Sequence, residues 1–330
     1  MTALRRIGVL GAGAWGTALA QAACRAGRDV VLWARNGDLV ETIRSRGENP
    51  DYLPGIALDP KLQATTDLAA AASADALLLV TPAQHLRAIC ARLGDPRVPL
   101  IVCAKGFETA TGALMSEVVA AECPRAPIAI LSGPSFAAEV AKGLPTAVTL
   151  ACADEALGRS LVEALGGRSF RPYWSDDVVG AQIGGAVKNV LAIAAGAVMG
   201  RRLGDNARAA LVTRGLAELM RLGEALGARR ETLMGLSGLG DLMLTCTSLE
   251  SRNCSLGFAL AEGRTLNDIL SGRRSVTEGV HTAAAVVRLA GEHGVEAPIS
   301  TAVDAVLRGE AGIDESVMAL MDRPFKAERH

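Results

Sequence analysis

Along its first half the chain alternates short apolar runs with segments of helical periodicity. Runs at 7–10, 30–33, 76–80, 100–103 and 128–131 are apolar at nearly every position, and further runs follow at 146–151 and 169–174. A strand that is apolar on consecutive positions is buried on both faces, and helices between such strands provide the cover. This half therefore predicts a mostly parallel sheet with helices on both faces. The pattern changes near residues 174–179. Helical patterns then succeed one another over 178–199, 207–226, 277–293 and 300–308, with no strand signal of comparable quality. The expected architecture is α/β: an N-terminal sheet domain over 1–177, followed by an all-α C-terminal domain over 178–330.

Composition supports this division and narrows the function. A chain of 330 residues with a hydrophobic fraction of 50% can fill two cores, and because aromatics are only 3%, Ala, Leu, Val and Gly must do the packing. The formal net charge of -1 gives no overall attraction to nucleic acid or to an anionic membrane, so an anionic small molecule would need a local positive site. No uncharged apolar stretch reaches bilayer-spanning length, and the N-terminus runs straight into a strand-like segment rather than a signal-like layout. The cysteines (Cys24, Cys90, Cys103, Cys123, Cys152, Cys246 and Cys254) are dispersed, with no Cys-x-x-Cys pair, as expected of reduced thiols in a cytoplasmic protein. Four histidines without a His-Glu-x-x-His arrangement give no zinc pattern, so no metal is expected.

The string GAGAWGTALA places Gly11, Gly13 and Gly16 directly after the first apolar run and at the opening of a helical pattern, with Ala14 inside the turn. In a Gly-x-Gly-x-x-Gly turn the first glycine permits the tight bend, the second lets backbone approach a pyrophosphate, and the third lets helix and strand pack closely. The helix N-terminus then offers N–H groups to the phosphates. Strand before and helix after make this a Rossmann-like dinucleotide site, with a plain packing turn as the bland alternative. The second run ends in Ala34-Arg35-Asn36. An NAD site usually has an acidic residue at this strand end, whereas Asp29 precedes the run and lies at the wrong end. Arg35 suits a 2′-phosphate, which favours NADP(H) and leaves NAD(H) open; a solvated surface arginine would look the same.

Ligands of open α/β sheets gather at the carboxyl ends of the strands. Those ends read Thr81-Pro82, Lys105-Gly106 and Ser132-Gly133-Pro134-Ser135. Lys105 is expected to face the cofactor crevice, an exposed loop lysine being the alternative. Ser135 stands where a helix N-cap belongs, and capping alone would account for it. In the second half, GGAVKNVLAIAAG sets Lys188 and Asn189 in an apolar helix one turn after Gly184 and Gly185. An ammonium there must be paired, exposed or used. A general acid/base lysine and a snorkelling surface lysine both fit, while paired glycines mark close approach of backbone or ligand. The stretch GLSGLGDLMLTCTS supplies a carboxylate, Asp241, with Thr245 four residues on along the same helical face. Asp241 fits a helix N-cap or first-turn acid equally well. Ser251-Arg252-Asn253 combines a guanidinium fork with hydroxyl and amide donors, which suits a phosphate and also a solvated loop. In SVTEGV, Glu278 precedes a helix, where it could simply cap.

Taken together these stretches resemble the bacterial type of NAD(P)+-dependent glycerol-3-phosphate dehydrogenase, over nearly the whole chain. The likeness runs through GAGAWGTALA, YLPGI, AKGFE, SGPSFAAEVAKGLPTA, GGAVKNVLAIAAG, RGLAELMRLGEALGA, GLGDLMLTCTSLESRN and VTEG. The glycine turn is common to many dehydrogenases; the Val-Lys-Asn helix together with GLGDL and Ser-Arg-Asn is far more specific. The resemblance implies that Lys188 is the proton acceptor, and the donor in the reduction direction. It implies that Asp241 orients Lys188, that Lys105 touches cofactor and substrate, and that Gly133 and Ser135 contact substrate. Asp241, Ser251, Arg252 and Asn253 would line the substrate pocket, with Asn189 and Thr245 as neighbours. Trp15, Arg35, Ala137, Arg252, Val276 and Glu278 would contact the cofactor. Thr277 departs from the small apolar residue expected there, and Phe107 replaces an aliphatic one.

The implied substrates are dihydroxyacetone phosphate and sn-glycerol 3-phosphate, the latter for phospholipid synthesis, with no metal, nucleic acid or membrane as partner. An amine from the helical half would reach a ketone lying on the nicotinamide. The apolar helices suit either a homodimer interface or the core alone. Two other readings stand at this point: a related two-domain dehydrogenase acting on a β-hydroxyacid or hydroxyacyl thioester, and a non-catalytic NADP(H)-binding sensor.

Overall fold

The computed structural model describes residues 4–273 and 276–324. The chain forms two compact units, one from Met1–Lys105 with Ala113–Ala181 and the other from Gly106–Gly112 with Gln182–His330.

The first unit is built on an eight-stranded sheet. In chain order its strands are β1 (Arg6–Leu10), β2 (Asp29–Trp33), β5 (Gln63–Thr65), β6 (Ala76–Leu79), β7 (Leu100–Val102), β8 (Ile128–Ser132), β9 (Thr146–Ala151) and β10 (Phe170–Ser175); a separate hairpin joins β3 (Glu48–Asn49) to β4 (Leu53–Ala57). Across the sheet the order is β10-β9-β8-β7-β6-β1-β2-β5. All neighbours are parallel except β8 and β9. Side chains alternate between two cores, one on each face. Ile7, Val9, Val30, Leu32, Leu78 and Ile101 pack on one side, while Leu10, Val31, Trp33, Leu77, Leu79 and Val102 pack on the other. This two-sided burial is why the strands read as unbroken apolar runs. The edge strand β5 and the hairpin escape that pattern: Gln-Ala-Thr on an edge and a two-residue β3 bury too little for apolar periodicity to mark them.

β1 lies between β2 and β6. The chain leaves β1 toward one edge and later returns to its other side, so the carboxyl ends of β1 and β6 form a topological switch point, where open α/β sheets bind ligands.

The second unit is helical among its described residues. Its helices include Asp205–Ala225, Asp241–Cys246, Arg252–Ala261, Glu278–Glu292, Pro298–Arg308 and Ile313–Met321. The division between units falls within the 23-residue helix Val178–Gly200. That helix is long and apolar enough to span a bilayer by length and composition, but 78% of its apolar 18-residue stretch is buried inside the protein, which marks it as a core helix. Helix Arg252–Ala261 crosses it closely. A Cβ on Gly196 would lie 1.9 Å from the Cys254 carbonyl oxygen, and one on Gly257 would lie 1.8 Å from that of Ile193. Only hydrogens at both positions allow the backbones to meet. Glu218 is buried and accepts from Ile299 N at 2.6 Å and Ser300 N at 3.1 Å, so it satisfies the start of helix Pro298–Arg308.

Asp75 ties down the start of β1: its Oδ2 accepts from Arg5 N at 2.7 Å and Arg6 N at 2.8 Å. The bond from Arg6, then that from Arg5, holds its carboxyl below the usual carboxylate range. The unfolded chain therefore binds this proton more tightly than the folded one. The stabilisation is complete above the unfolded value of about 3.9 and is lost as pH falls through the lower folded value. Asp75→Asn should lower Tm at pH 7, and thermal melts of the two proteins should draw together as pH falls below the unfolded carboxylate value and the folded Asp75 takes up its proton.

Candidate functional site

In the first unit the glycine turn sits at the switch point. Gly11 has φ +121° and donates its N–H to Trp33 O at 3.0 Å; a Cβ there would lie 2.7 Å from Val80 O. A Cβ on Gly16 would lie 1.8 Å from Gly11 O, so the helix Ala14–Arg25 can rest on the turn only with glycine at that point. Gly13 differs from both. It is the N-cap of that helix, and among the described residues no side chain caps the helix there and nothing lies within 4 Å of where its Cβ would be. Open space at a helix N-terminus with no acidic residue in its first turn suits an anion. Ala14 and Trp15 follow, half-buried, and the Trp15 indole Nε1 is buried without a hydrogen-bond partner among the described residues. These residues fit a dinucleotide: two glycines are needed by the fold, and the third leaves room for a pyrophosphate.

Arg35 lies just beyond β2 and is exposed, while Asn36 caps the next helix by accepting from Asp38 N at 2.9 Å. Asp29 is the first residue of β2, at the end away from the glycine turn. Beyond β7 and β8, the Gly133 carbonyl gathers two side chains: it accepts from Lys105 Nζ at 3.0 Å and from Ser135 Oγ at 3.1 Å. The capping reading of Ser135 is therefore corrected. Helix Ala137–Lys142 has Phe136 at its N-cap with no side-chain bond, and the serine hydroxyl turns back to Gly133. Ala137 is the first residue of this helix and half-buried. The strand-end reading named Thr81 and Ser132 without giving their hydroxyls a role; both are buried without partners among the described residues, just beyond β6 and at the end of β8. A polar residue closing an apolar strand was the signal available.

In the second unit Lys188 is 7% exposed, and its ammonium is paired. Nζ donates to Asp241 Oδ1 at 2.6 Å and to Thr245 Oγ1 at 2.7 Å. The Thr245 hydroxyl donates in turn to Asp241 O at 2.6 Å. Asp241 and Thr245 share a face because they stand four apart on helix Asp241–Cys246. Gly184 explains how that helix reaches Lys188. A Cβ on Gly184 would lie 2.4 Å from Ser237 O, so its absence lets the π-helical turn Leu236–Gly240 press against the lysine's helix one turn earlier. The snorkelling reading of Lys188 is thereby corrected: a carboxylate and a hydroxyl, not solvent, surround its charge. The neighbouring thiol of Cys246 is pushed well above its ordinary value by burial and stays neutral.

Asn189 and Asn253 join three helices. Asn189 Nδ2 donates to Gly185 O at 3.3 Å, Asn253 Nδ2 donates to Asn189 Oδ1 at 2.8 Å, and Asn253 Oδ1 accepts from Gly279 N at 2.9 Å. Ser251 is the N-cap of helix Arg252–Ala261, accepting from Cys254 N at 3.2 Å. Of Ser251-Arg252-Asn253, the outer two are thus buried and hydrogen-bonded within the helical unit, and Arg252 is exposed. Glu278 is the first residue of its helix, half-buried, and Thr277 is the N-cap, with no side-chain capping bond. Val276 is half-buried, and Ser275 lies outside the described residues. The unexpected Thr277 has a partner: Arg273 Nη1 donates to its hydroxyl at 3.2 Å and to Arg252 O at 2.5 Å.

Removing one member of a buried ion pair strands the other. Asp241→Ala should destabilise the protein by about 3–5 kcal/mol, and adding Lys188→Met to it should restore much of that loss. Urea denaturation of the two single variants and the double variant measures the coupling.

Comparison with known proteins places both halves of the chain in one family. Residues 6–158 match the model of the NAD-dependent glycerol-3-phosphate dehydrogenase N-terminus, and residues 177–318 match that of its C-terminus. The chain is 60% identical over 330 residues to a protein of Parvibaculum lavamentivorans named glycerol-3-phosphate dehydrogenase [NAD(P)+], covering 99% of each. It is 61% identical over 326 residues to a protein of the same name from Rhodospirillum rubrum, covering 98% of this chain and 93% of that one. Among solved structures, the crystal structure of glycerol-3-phosphate dehydrogenase from Coxiella burnetii superimposes with a TM-score of 0.92 at 40% identity, over 97% of this chain and 99% of that one.

Proposed function

The chain belongs to the NAD-dependent glycerol-3-phosphate dehydrogenase family, and from that premise we propose that it interconverts dihydroxyacetone phosphate and sn-glycerol 3-phosphate by reversible hydride transfer. The observation that carries this reading is the buried cluster of Lys188, Asp241 and Thr245. A cytoplasmic enzyme that supplies glycerol 3-phosphate for phospholipid synthesis, without metal, nucleic acid or membrane, accords with the family. In this reading the first unit holds the dinucleotide and the helical unit holds the substrate.

A bound reduced nicotinamide supplies the hydride to C2 of the ketone; the residues do the rest. As the carbonyl is reduced, negative charge grows on its oxygen. The Lys188 ammonium offsets that charge and passes a proton from Nζ to the oxygen. Asp241 and Thr245 keep the ammonium aimed; the family likeness further implies that Lys105 touches cofactor and substrate. In the oxidation direction the neutral Lys188 amine takes the proton back. Arg252, with Ser251 and Asn253, holds the substrate phosphate, and Asn189 sets the position of Asn253. The family likeness implies substrate contacts at Gly133 and Ser135 and cofactor contacts at Trp15, Ala137, Val276 and Glu278. The β-hydroxyacid and sensor readings lose ground, because neither calls for a match to this family in both halves.

Lys188→Ala should lower kcat by about 10²–10⁴-fold while NADPH binding, followed by its fluorescence, is unchanged. Turnover near wild type with intact binding would remove Lys188 from the proton transfer. The assay, NADPH oxidation with dihydroxyacetone phosphate, tests the activity itself. Arg35 supports a preference for NADP(H), since it is exposed beyond β2 where an NAD site would carry an acid. Arg35→Asp should cut kcat/KM for NADPH at least about tenfold and leave that for NADH unchanged or higher. Equal losses with both cofactors would contradict the preference.

A further inference from the structure

We propose that Asn49 is a positioning residue for the glycine turn, fixing the direction in which that turn presents its N–H to the cofactor's pyrophosphate. This rests on the dinucleotide reading of the first unit and adds a residue from outside the Gly-x-Gly-x-x-Gly motif.

Asn49 is fully buried at the end of β3. Its Nδ2 donates to Ala12 O at 3.0 Å and to Thr17 Oγ1 at 2.8 Å. The Thr17 hydroxyl lies 3.5 Å from the same Ala12 oxygen, and Thr17 N donates to Gly13 O at 2.9 Å. Ala12 is the residue between the first two glycines. Its carbonyl can only accept, so the amide nitrogen of Asn49, and not its oxygen, must face the turn. A trans peptide is planar, with C=O and N–H on opposite sides. Drawing Ala12 O toward Asn49 therefore turns the Gly13 N–H the other way. That N–H makes no hydrogen bond among the described residues, and Gly13 borders open space. Asn49 thus aims an unspent donor at the place where the glycine turn has room for an anion.

The hairpin carrying Asn49 is itself anchored to the first helix. Gln21 Nε2 donates to Ala57 O at 3.1 Å, and Gln21 Oε1 accepts from Asp59 N at 2.8 Å. The hairpin closes on itself through Leu58 N to Gly47 O at 2.8 Å. This gives the stretch around YLPGI a function: it is the frame that holds an amide against the glycine turn.

The test compares Asn49→Ala, the near-isosteric Asn49→Asp, and Thr17→Val, which keeps shape and removes the hydroxyl that Asn49 also binds. NADPH Kd is read by fluorescence titration of the full chain, beside the Ki of adenosine 2′-monophosphate, which lacks the pyrophosphate. Asn49→Ala should raise NADPH Kd about tenfold, and Thr17→Val by a smaller factor. Asn49→Asp should raise it at least as much as alanine, because a carboxylate oxygen would face the Ala12 carbonyl. The Ki of adenosine 2′-monophosphate, kcat and KM for dihydroxyacetone phosphate should stay at wild-type values. A fall in Tm with unchanged NADPH Kd would overturn the proposal and leave Asn49 a packing residue. Equal weakening of both nucleotides would overturn it too, by showing loss of the whole pocket. If Asn49→Ala does not fold, the other two variants decide on the same readings. A wild-type chain that binds NADPH without reducing dihydroxyacetone phosphate would refute the proposed activity and leave this inference standing; one that binds neither NADPH nor NADH would refute both.

Discussion

A buried ammonium group organises the helical unit. Lys188 lies in a helix whose other residues are almost all apolar, and a charge at 7% exposure survives there only with partners of opposite or accepting character. The partners are Asp241 and Thr245, on a helix of their own. Bringing that helix to the lysine requires the bare backbone of Gly184, against which the turn before Asp241 rests. The site and the packing are one arrangement: the glycine that permits the close crossing lies one turn from the residue that the crossing serves. The pair contributes little to stability over a well-packed apolar substitute. Its value is chemical, since it fixes a cation in one orientation in a setting where water competes weakly.

The sheet unit uses the opposite resource. Its glycine turn has almost no side chains, and what it offers a ligand is backbone. Gly11 and Gly16 are demanded by the fold, whereas Gly13 is demanded by nothing in the protein itself. A position left empty by the fold, at the start of a helix, is the structural form of an anion site. At the same end of the sheet lie buried groups without partners among the described residues: Trp15 Nε1 beside the turn, and Thr81 Oγ1 and Ser132 Oγ at the carboxyl ends of β6 and β8. Such groups are costly when unsatisfied, so a bound ligand is the economical explanation for them.

Much of this was legible along the chain. Seven strands of the sheet announced themselves as apolar runs because both faces are covered. The helical half showed itself by period, and the glycine turn by spacing between a strand and a helix. Lys188 was conspicuous because it breaks an apolar helix, and Asp241 because it follows a glycine-rich turn. Less was legible where a residue's role is set by a distant neighbour. Ser135 has the sequence position of a cap but bonds to Gly133. Ser251 reads as a phosphate ligand, and only the structure shows that its hydroxyl also caps a helix by accepting from Cys254 N. Asn49 carries no local signal, as its partner is 37 residues away.

The sequence alone determined the class of fold, the glycine turn between strand and helix, and the lysine that interrupts an apolar helix, because each depends on residues adjacent in the chain or repeating with a regular period. Tertiary structure alone decided that Asp241 and Thr245, 53 and 57 residues beyond Lys188, would be its partners, and that Asn49 would hold Ala12. The reason is physical. Periodicity reports which face of an element is buried, but a hydrogen bond between elements depends on how closely their backbones approach, and that distance is set by packing across the whole unit.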